Sequence, residues 1–284
     1  MPKDREEQKK IHFISGLPRS GSTLLCNILA QNPRFHTTAT SGIMDIMFGV
    51  RNNWNQLVEF NAHPDDEAKE RVIRGILENY YANVDRPVVF DKSRGWVSLL
   101  DMAEMALGRK AKVLVPVRDI RDVLASLEKL WRKESATHQS PLERENYFQF
   151  QTAEGRCNVW MSPNQVVGLA YGRVKDALRR GFGDRMYFVE FEKLTGEPEK
   201  ELKRIYKFLD EEEFKHDFEN VKQVTWEDDS VHGIKGLHDI RQKVRPVEPQ
   251  WGDVFGDFAE QYGKLNFWWP ENQAFNDIAY HWHP

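Results

Sequence analysis

Ile11-His-Phe-Ile-Ser15, then Gly16-Leu-Pro-Arg-Ser-Gly21-Ser-Thr23, then Leu24-Leu-Cys-Asn-Ile-Leu-Ala-Gln31 is the stretch on which the fold turns. Residues 11–15 read as a short buried strand, ended by Gly16 and Pro18. From Ser22 to Gln31, Leu24, Leu25, Ile28 and Leu29 recur at helical spacing. The order is strand, tight turn, helix. A glycine-bearing turn in that context aims backbone N–H groups and the positive end of a helix at one point, which suits an anion.

The same alternation continues outward. Residues 67–84 read as helix, 88–90 as strand, 97–107 as helix, 112–117 as strand and 119–133 as helix. A long helical stretch covers 142–180, broken at Ser162-Pro163, a pair suited to an N-cap and first helical position. Residues 186–190 follow as strand and 198–209 as helix. This predicts an α/β fold with an open, mostly parallel sheet and helices on both faces. At 223–249 the pattern stops, leaving a long loop rich in His, Gly, Lys and Arg, and such loops are often functional.

The 284 residues are 40% hydrophobic and 30% charged, with no internal repeat, so one domain over 1–284 is expected, residues 1–10 forming a polar tail. The longest apolar run, 111–117, is interrupted by Lys112 and Pro116 and falls far short of the roughly 20 residues of a bilayer span. The N-terminus lacks a signal-peptide pattern. Cys26 and Cys157 stand far apart without neighbouring ligands, so no disulfide framework or zinc site is expected and a cytoplasmic location fits. A net charge of −4 gives no global attraction to nucleic acid or an anionic membrane, and any bound anion must be held by local geometry.

The turn has the glycine spacing of GxxxxGK[ST], but Ser22 stands where a nucleoside triphosphatase needs lysine. What remains is backbone N–H groups, the hydroxyls of Ser20, Ser22 and Thr23, and the charge of Arg19, a set suited to a less charged anion with no metal. The competing reading is a turn that only links strand to helix. A second anion site is expected where Val117-Arg118-Asp119 ends a strand, with Ser126 eight residues further on. Its competitor is a set of surface ion pairs among Arg118, Arg121 and Asp122. Two such sites suggest a nucleotide with phosphates at both ends of its ribose.

Together, Gly16-Leu-Pro-Arg-Ser-Gly-Ser-Thr-Leu24 and Val117-Arg118-Asp119 with Ser126 resemble the 5′-phosphosulfate and 3′-phosphate motifs of sulfotransferases that use 3′-phosphoadenosine 5′-phosphosulfate (PAPS), in the branch that includes the protein-tyrosine sulfotransferases. The resemblance extends more loosely to Phe191-Glu-Lys-Leu194 and Gln242-Lys-Val-Arg-Pro-Val247. It implies a P-loop-like sulfotransferase fold, PAPS as donor without metal, and a small-molecule, sugar or peptide acceptor, with no nucleic-acid or membrane partner. By the same resemblance Gly21 and its neighbours hold the 5′ side, Lys92 in Phe90-Asp-Lys92-Ser93 offsets charge on the bridging oxygen, Ser230 touches the transferred group, and the loop from Ser230 to Asp239 closes over the 3′-phosphate, with Lys235 and Arg245 among the donor-binding residues.

Two departures are visible. Tyrosine-sulfating relatives place a glutamate base just after the second strand, where this chain has Thr37-Thr-Ala-Thr40, and an aromatic hydroxyl where it has Phe191. His36, with Asp45 as the other candidate, is left as the base. Phe267, Trp268 and Trp269 read as core or as an acceptor-pocket wall, and His281 and His283 as a terminal tail. The rival functions are an atypical P-loop kinase and a non-catalytic nucleotide-binding protein.

Overall fold

The computed structural model describes residues 9–137, 139–232 and 236–272. Five strands, β1 (Lys10–Ile14), β2 (Phe35–Thr40), β3 (Val88–Lys92), β4 (Val113–Val117) and β5 (Met186–Glu190), form one sheet in the order β2-β3-β1-β4-β5. Every neighbouring pair is parallel. From β1 the chain goes first to the edge strand β2, returns to β3 between β2 and β1, and then crosses to β4 and β5. The point of reversal therefore lies between β1 and β4, and the carboxyl ends of these strands border the crevice where open α/β sheets bind ligands.

The connections are helical: α1 (Ser22–Leu29), α2 (Ile43–Gln56), α3 (Val58–Ala62), α4 (Asp66–Tyr80), α5 (Leu100–Leu107) and α6 (Ile120–Glu134) precede α7 (Pro141–Glu145), α8 (Ala153–Met161), α9 (Val166–Arg179), α10 (Phe191–Gly196), α11 (Pro198–Leu209) and α12 (Trp251–Phe255). Because helices cover both faces, strand residues are buried in both directions. Phe13, Val89, Val113 and Val115 enter the core on one face, while Ile14, Val88, Phe90 and Leu114 enter the core on the other. This two-sided burial explains why β4 reads Val-Leu-Val-Pro-Val without polar alternation.

One local expectation is corrected. The helical stretch 142–180 is α7, a short 3₁₀ turn, α8 and α9, and α9 begins at Val166 after Gln165, so Ser162-Pro163 ends one helix without capping the next. Strand β2 and helix α2 were not legible in the periodicity. The loop 223–249 carries no strand, but it is pinned at many points. Val221 N donates to Gln242 O, Val244 N to Phe218 O, and Asn27 Oδ1 accepts from Val224 N and Thr225 N.

The C-terminal segment holds the start of α6. Asn266 Oδ1 accepts from Ile120 N at 2.9 Å, and Asp122 Oδ1 accepts from Gln250 N at 2.8 Å and Trp251 N at 3.1 Å. Among the described residues no helix is long and apolar enough to cross a membrane.

Candidate functional site

The turn after β1 has no room for side chains at its two glycines. A Cβ on Gly16 would lie 2.2 Å from the carbonyl oxygen of Pro116, and this close approach lets Leu17 N donate to that same oxygen at 2.9 Å. Gly21 has φ +81°, and a Cβ there would also lie 2.7 Å from the Phe191 ring. Arg19 is itself left-handed, at φ 56°. These conformations turn the following N–H groups inward at the start of α1, where no side chain caps Gly21. The Ser20 hydroxyl is buried and donates to Leu17 O at 2.6 Å, so it closes the turn, while Ser22 and Thr23 line the cavity.

The second motif meets the first. Arg19 Nε donates to Ser126 Oγ at 3.0 Å, joining residues 107 positions apart, and Arg19 also donates to Leu237 O of the long loop. Arg118 packs over Phe191 at 4.5 Å and reaches Arg19 O at 3.4 Å and Asp122 at 3.9 Å. Its Nε is buried without a partner. Burial pushes both guanidinium groups below their ordinary pKa, with the nearby Arg118 adding to the effect on Arg19. An arginine keeps its proton regardless. Two desolvated cations with an unused donor are a strong claim on an anion, and they border a cavity of about 790 Å³.

Lys92 ends β3 at the same rim, also lining the cavity, with Nζ 2.7 Å from Glu227 Oε1 and 3.5 Å from Thr23 Oγ1. Glu227 comes from the long loop and also accepts from Thr40 N and Thr40 Oγ1, both at 2.8 Å. Burial alone would raise its pKa, but the hydrogen bonds from Lys92 and Thr40 outweigh it and hold the carboxyl at about 2. Its second oxygen is 3.4 Å from His238 Nε2, and His238 Nδ1 is 2.5 Å from Asp229 Oδ1.

The sequence pattern of the sulfotransferase family matches residues 12–216, a span that holds the turn, Lys92, Arg118 and Ser126. The chain belongs to the sulfotransferase family. A search of curated proteins returns no match. Among solved structures, similarity is found to the sulfotransferase domain of the curacin biosynthetic pathway, at 16% identity over 95% of this chain and 96% of that one, with a TM-score of 0.48. A sulfotransferase from Alicyclobacillus acidocaldarius gives 16%, 95%, 96% and 0.48. A mouse sulfotransferase solved in complex with PAP gives 13%, 97%, 90% and 0.49. At these TM-scores the solved structures add no argument to the family assignment.

In this sulfotransferase the other expected residues are placed unevenly. Arg245 lines the cavity, yet its guanidinium is engaged by both oxygens of Glu219, at 2.6 and 2.5 Å. Lys235 lies outside the described residues, as do His281 and His283. Ser230 is exposed and does not line the cavity, its N–H donating to Asp228 at 3.0 Å. His36 pairs with Val89 well before the end of β2, its ring 6.4 Å from Tyr81, and it too is absent from the cavity wall. Asp45 is exposed in the first turn of α2 and also away from it. Phe267 and Trp268 are buried beside Tyr171 and Phe188, so they are core and not an acceptor wall. Among the described residues no group of three or more His, Cys, Asp or Glu is placed to hold a metal ion.

The residues that sequence reasoning missed are Glu227 and His238. Both sit in the loop whose composition marked it as functional, but no spacing rule connects them to the strands they meet.

Proposed function

We propose that the protein transfers a sulfuryl group from PAPS to an acceptor hydroxyl or amine without a metal. The observation that carries this reading is the junction of the two anion motifs, Arg19 of the first on Ser126 of the second at 3.0 Å, beside the unpartnered Nε of Arg118. The residues fit the donor's two anionic ends. The N–H groups of the Arg19–Thr23 turn, with the hydroxyls of Ser22 and Thr23, would hold the 5′ side, and Arg118 with Ser126 the 3′-phosphate. When bound, PAPS supplies a sulfuryl group on a phosphate leaving group. Lys92 presents its ammonium at the rim shared with Thr23, where it offsets charge that develops on departure of that phosphate. Ser22 leaves the turn without the lysine that a triphosphate requires, which separates this site from a kinase's. We also read the protein as cytoplasmic, since Cys26 and Cys157 are buried free thiols, a state that a reducing compartment maintains.

Calorimetry with 3′-phosphoadenosine 5′-phosphate (PAP) and 5′-AMP tests the reading. PAP is expected to bind far more tightly, and Arg118→Ala to weaken PAP by about 1.5–3 kcal/mol while leaving AMP nearly unchanged. Equal affinities for the two nucleotides in the wild-type protein would overturn it.

A further inference from the structure

From Val88 to Val97 every residue is buried except Arg94, and Arg94 lines the cavity. We propose that this arginine anchors an anionic acceptor: the molecule that receives the sulfuryl group carries a carboxylate, which pairs with Arg94 while its hydroxyl stands at Lys92. The inference rests on the sulfotransferase reading above and names its acceptor class.

The backbone around Arg94 is fixed on both sides. Ser93 N donates to Ile14 O at 3.1 Å and Lys92 O accepts from Ser41 N at 2.8 Å, so the chain leaves β3 still tied to its neighbours. Gly95 packs so closely on Met44 that a Cβ there would lie 2.4 Å from the sulfur. Trp96 is fully buried and donates from Nε1 to Asp91 Oδ1 at 2.6 Å. Between such neighbours the Arg94 side chain is the part of the segment that turns outward, into the cavity.

Among the described residues no hydrogen bond or ion pair holds the Arg94 guanidinium, whereas Arg19, Lys92 and Arg118 each have a partner. Its exposure is to the recess and not to the outer surface, because burial still pushes its pKa below the ordinary value. The charge of Arg173 on α9 acts in the same direction, and Glu227 opposes it. Glu227 is committed elsewhere, to Lys92 and to both donors of Thr40. An arginine cannot relieve its situation by losing the proton, so an unpaired guanidinium with a second cation near it favours an anion. A carboxylate matches its two parallel N–H donors.

The anions of the donor are provided for by the turn after β1 and by Arg118 with Ser126, which leaves Arg94 to the acceptor. Lys92 and Arg94 are two residues apart, so their Cα atoms lie within about 7 Å and one small molecule can reach both. Trp131, Phe150, Trp160 and Val166 give the same cavity an apolar wall for the body of that molecule.

The test is calorimetry on the full-length protein with para-hydroxyphenylpropionate and hydroxyhexanoate, each against its primary amide, which keeps the hydroxyl and removes the charge. Wild type is expected to bind at least one acid about tenfold or more tightly than its amide. In Arg94→Gln that ratio should fall to within about threefold, and Arg94→Lys should keep part of it. PAP should bind all three proteins within about threefold, which also reports that the variants are folded. Equal affinities for acid and amide in wild type, a preference that survives in Arg94→Gln, or no binding of either acid would each overturn the proposal. Loss of PAP affinity in Arg94→Gln would assign the residue to the donor and overturn it as well. Titrations are run with and without PAP. Failure of PAP to bind wild type removes the donor reading, while the ratio of acid to amide still decides the anchor.

Discussion

At Gly21 the requirement for glycine has two separable parts. The residue stands at φ +81°, where a Cβ is strained by roughly 1–2 kcal/mol, and that Cβ would lie 2.7 Å from the ring that supports Arg118. Gly21→Ala is therefore expected to weaken PAP by about tenfold or more. In a Phe191→Leu background the contact part of the loss should be relieved and the backbone part should persist. Calorimetry on the four proteins of that cycle checks it. Lys92 calls for the same care, because Glu227 depends on it. Lys92→Ala alone leaves a part-buried carboxylate without its cation at the donor's rim, which should lower PAP affinity as well as kcat. The double variant Lys92→Ala/Glu227→Gln removes that charge. It should hold PAP within about threefold of wild type while kcat stays down by about 100-fold. Wild-type turnover in the double variant would show that Lys92 has no part in the chemistry. Arg19, Arg118 and Ser126 were legible in the sequence because each lies within a short motif at a strand end or in the helix that follows. Glu227 was not, since its bond to Thr40 spans 187 residues of chain.

Between elements, the same difference separates what a local pattern encodes from what a partner decides. Strands β1, β3, β4 and β5 read clearly because two-sided burial requires runs such as Val-Leu-Val-Pro-Val. Strand β2, Phe-His-Thr-Thr-Ala-Thr, did not, because it is an edge strand with alternate residues only part-buried, and its pairing with β3 supplies what its composition lacks. The break at Met161 was legible in Ser162-Pro163, whereas the division of the preceding residues into α7, a 3₁₀ turn and α8 reflects tertiary contacts with α6. One of these contacts is charged. Glu128 of α6, fully buried, accepts from Arg156 of α8 at 2.7 and 2.6 Å and from Arg132 at 2.7 Å. Arg156 in turn lies 3.7 Å from the Trp131 ring centroid and donates to Phe150 O at 2.6 Å. Glu128→Ala leaves Arg156 buried without its counter-charge and is expected to cost about 3–5 kcal/mol. Glu128→Leu/Arg156→Leu should recover much of that loss, because the desolvation of two charges is no longer required. Denaturant midpoints at unchanged m-value measure both.

Across the whole molecule, the upper part of the acid limb is set by two buried histidines remote from the cavity. His12, on β1, is buried with both ring nitrogens unpartnered, its ring 5.6 Å from that of Phe90. Burial lowers its pKa to about 3, and the charges of Arg109, Lys112 and Lys10 act in the same direction. Burial likewise brings His216 to about 4, where its Nε2 meets Tyr206 Oη at 3.0 Å. In the unfolded chain both titrate near 6.5, so between that value and their folded values the unfolded state binds more protons. The stability from holding them neutral is complete above pH 6.5 and is lost as pH falls toward 4 and 3, at up to about 1.4 kcal/mol per pH unit for each group. Glu227 adds a lower limb of the same sign. Its contribution is present above its ordinary 4.5 and is lost as pH falls toward 2. The limbs can be separated with His12→Leu, a change close in volume that removes a titrating ring with no hydrogen bond to lose. It should match or exceed wild-type stability at neutral pH and show a shallower fall between pH 6.5 and 4, with the Glu227 limb unchanged. Denaturant midpoints taken across that pH series decide the matter. A slope equal to wild type in His12→Leu would mean that His12 is not held neutral in the folded protein, and the acid sensitivity would then belong to His216 and the carboxylates alone.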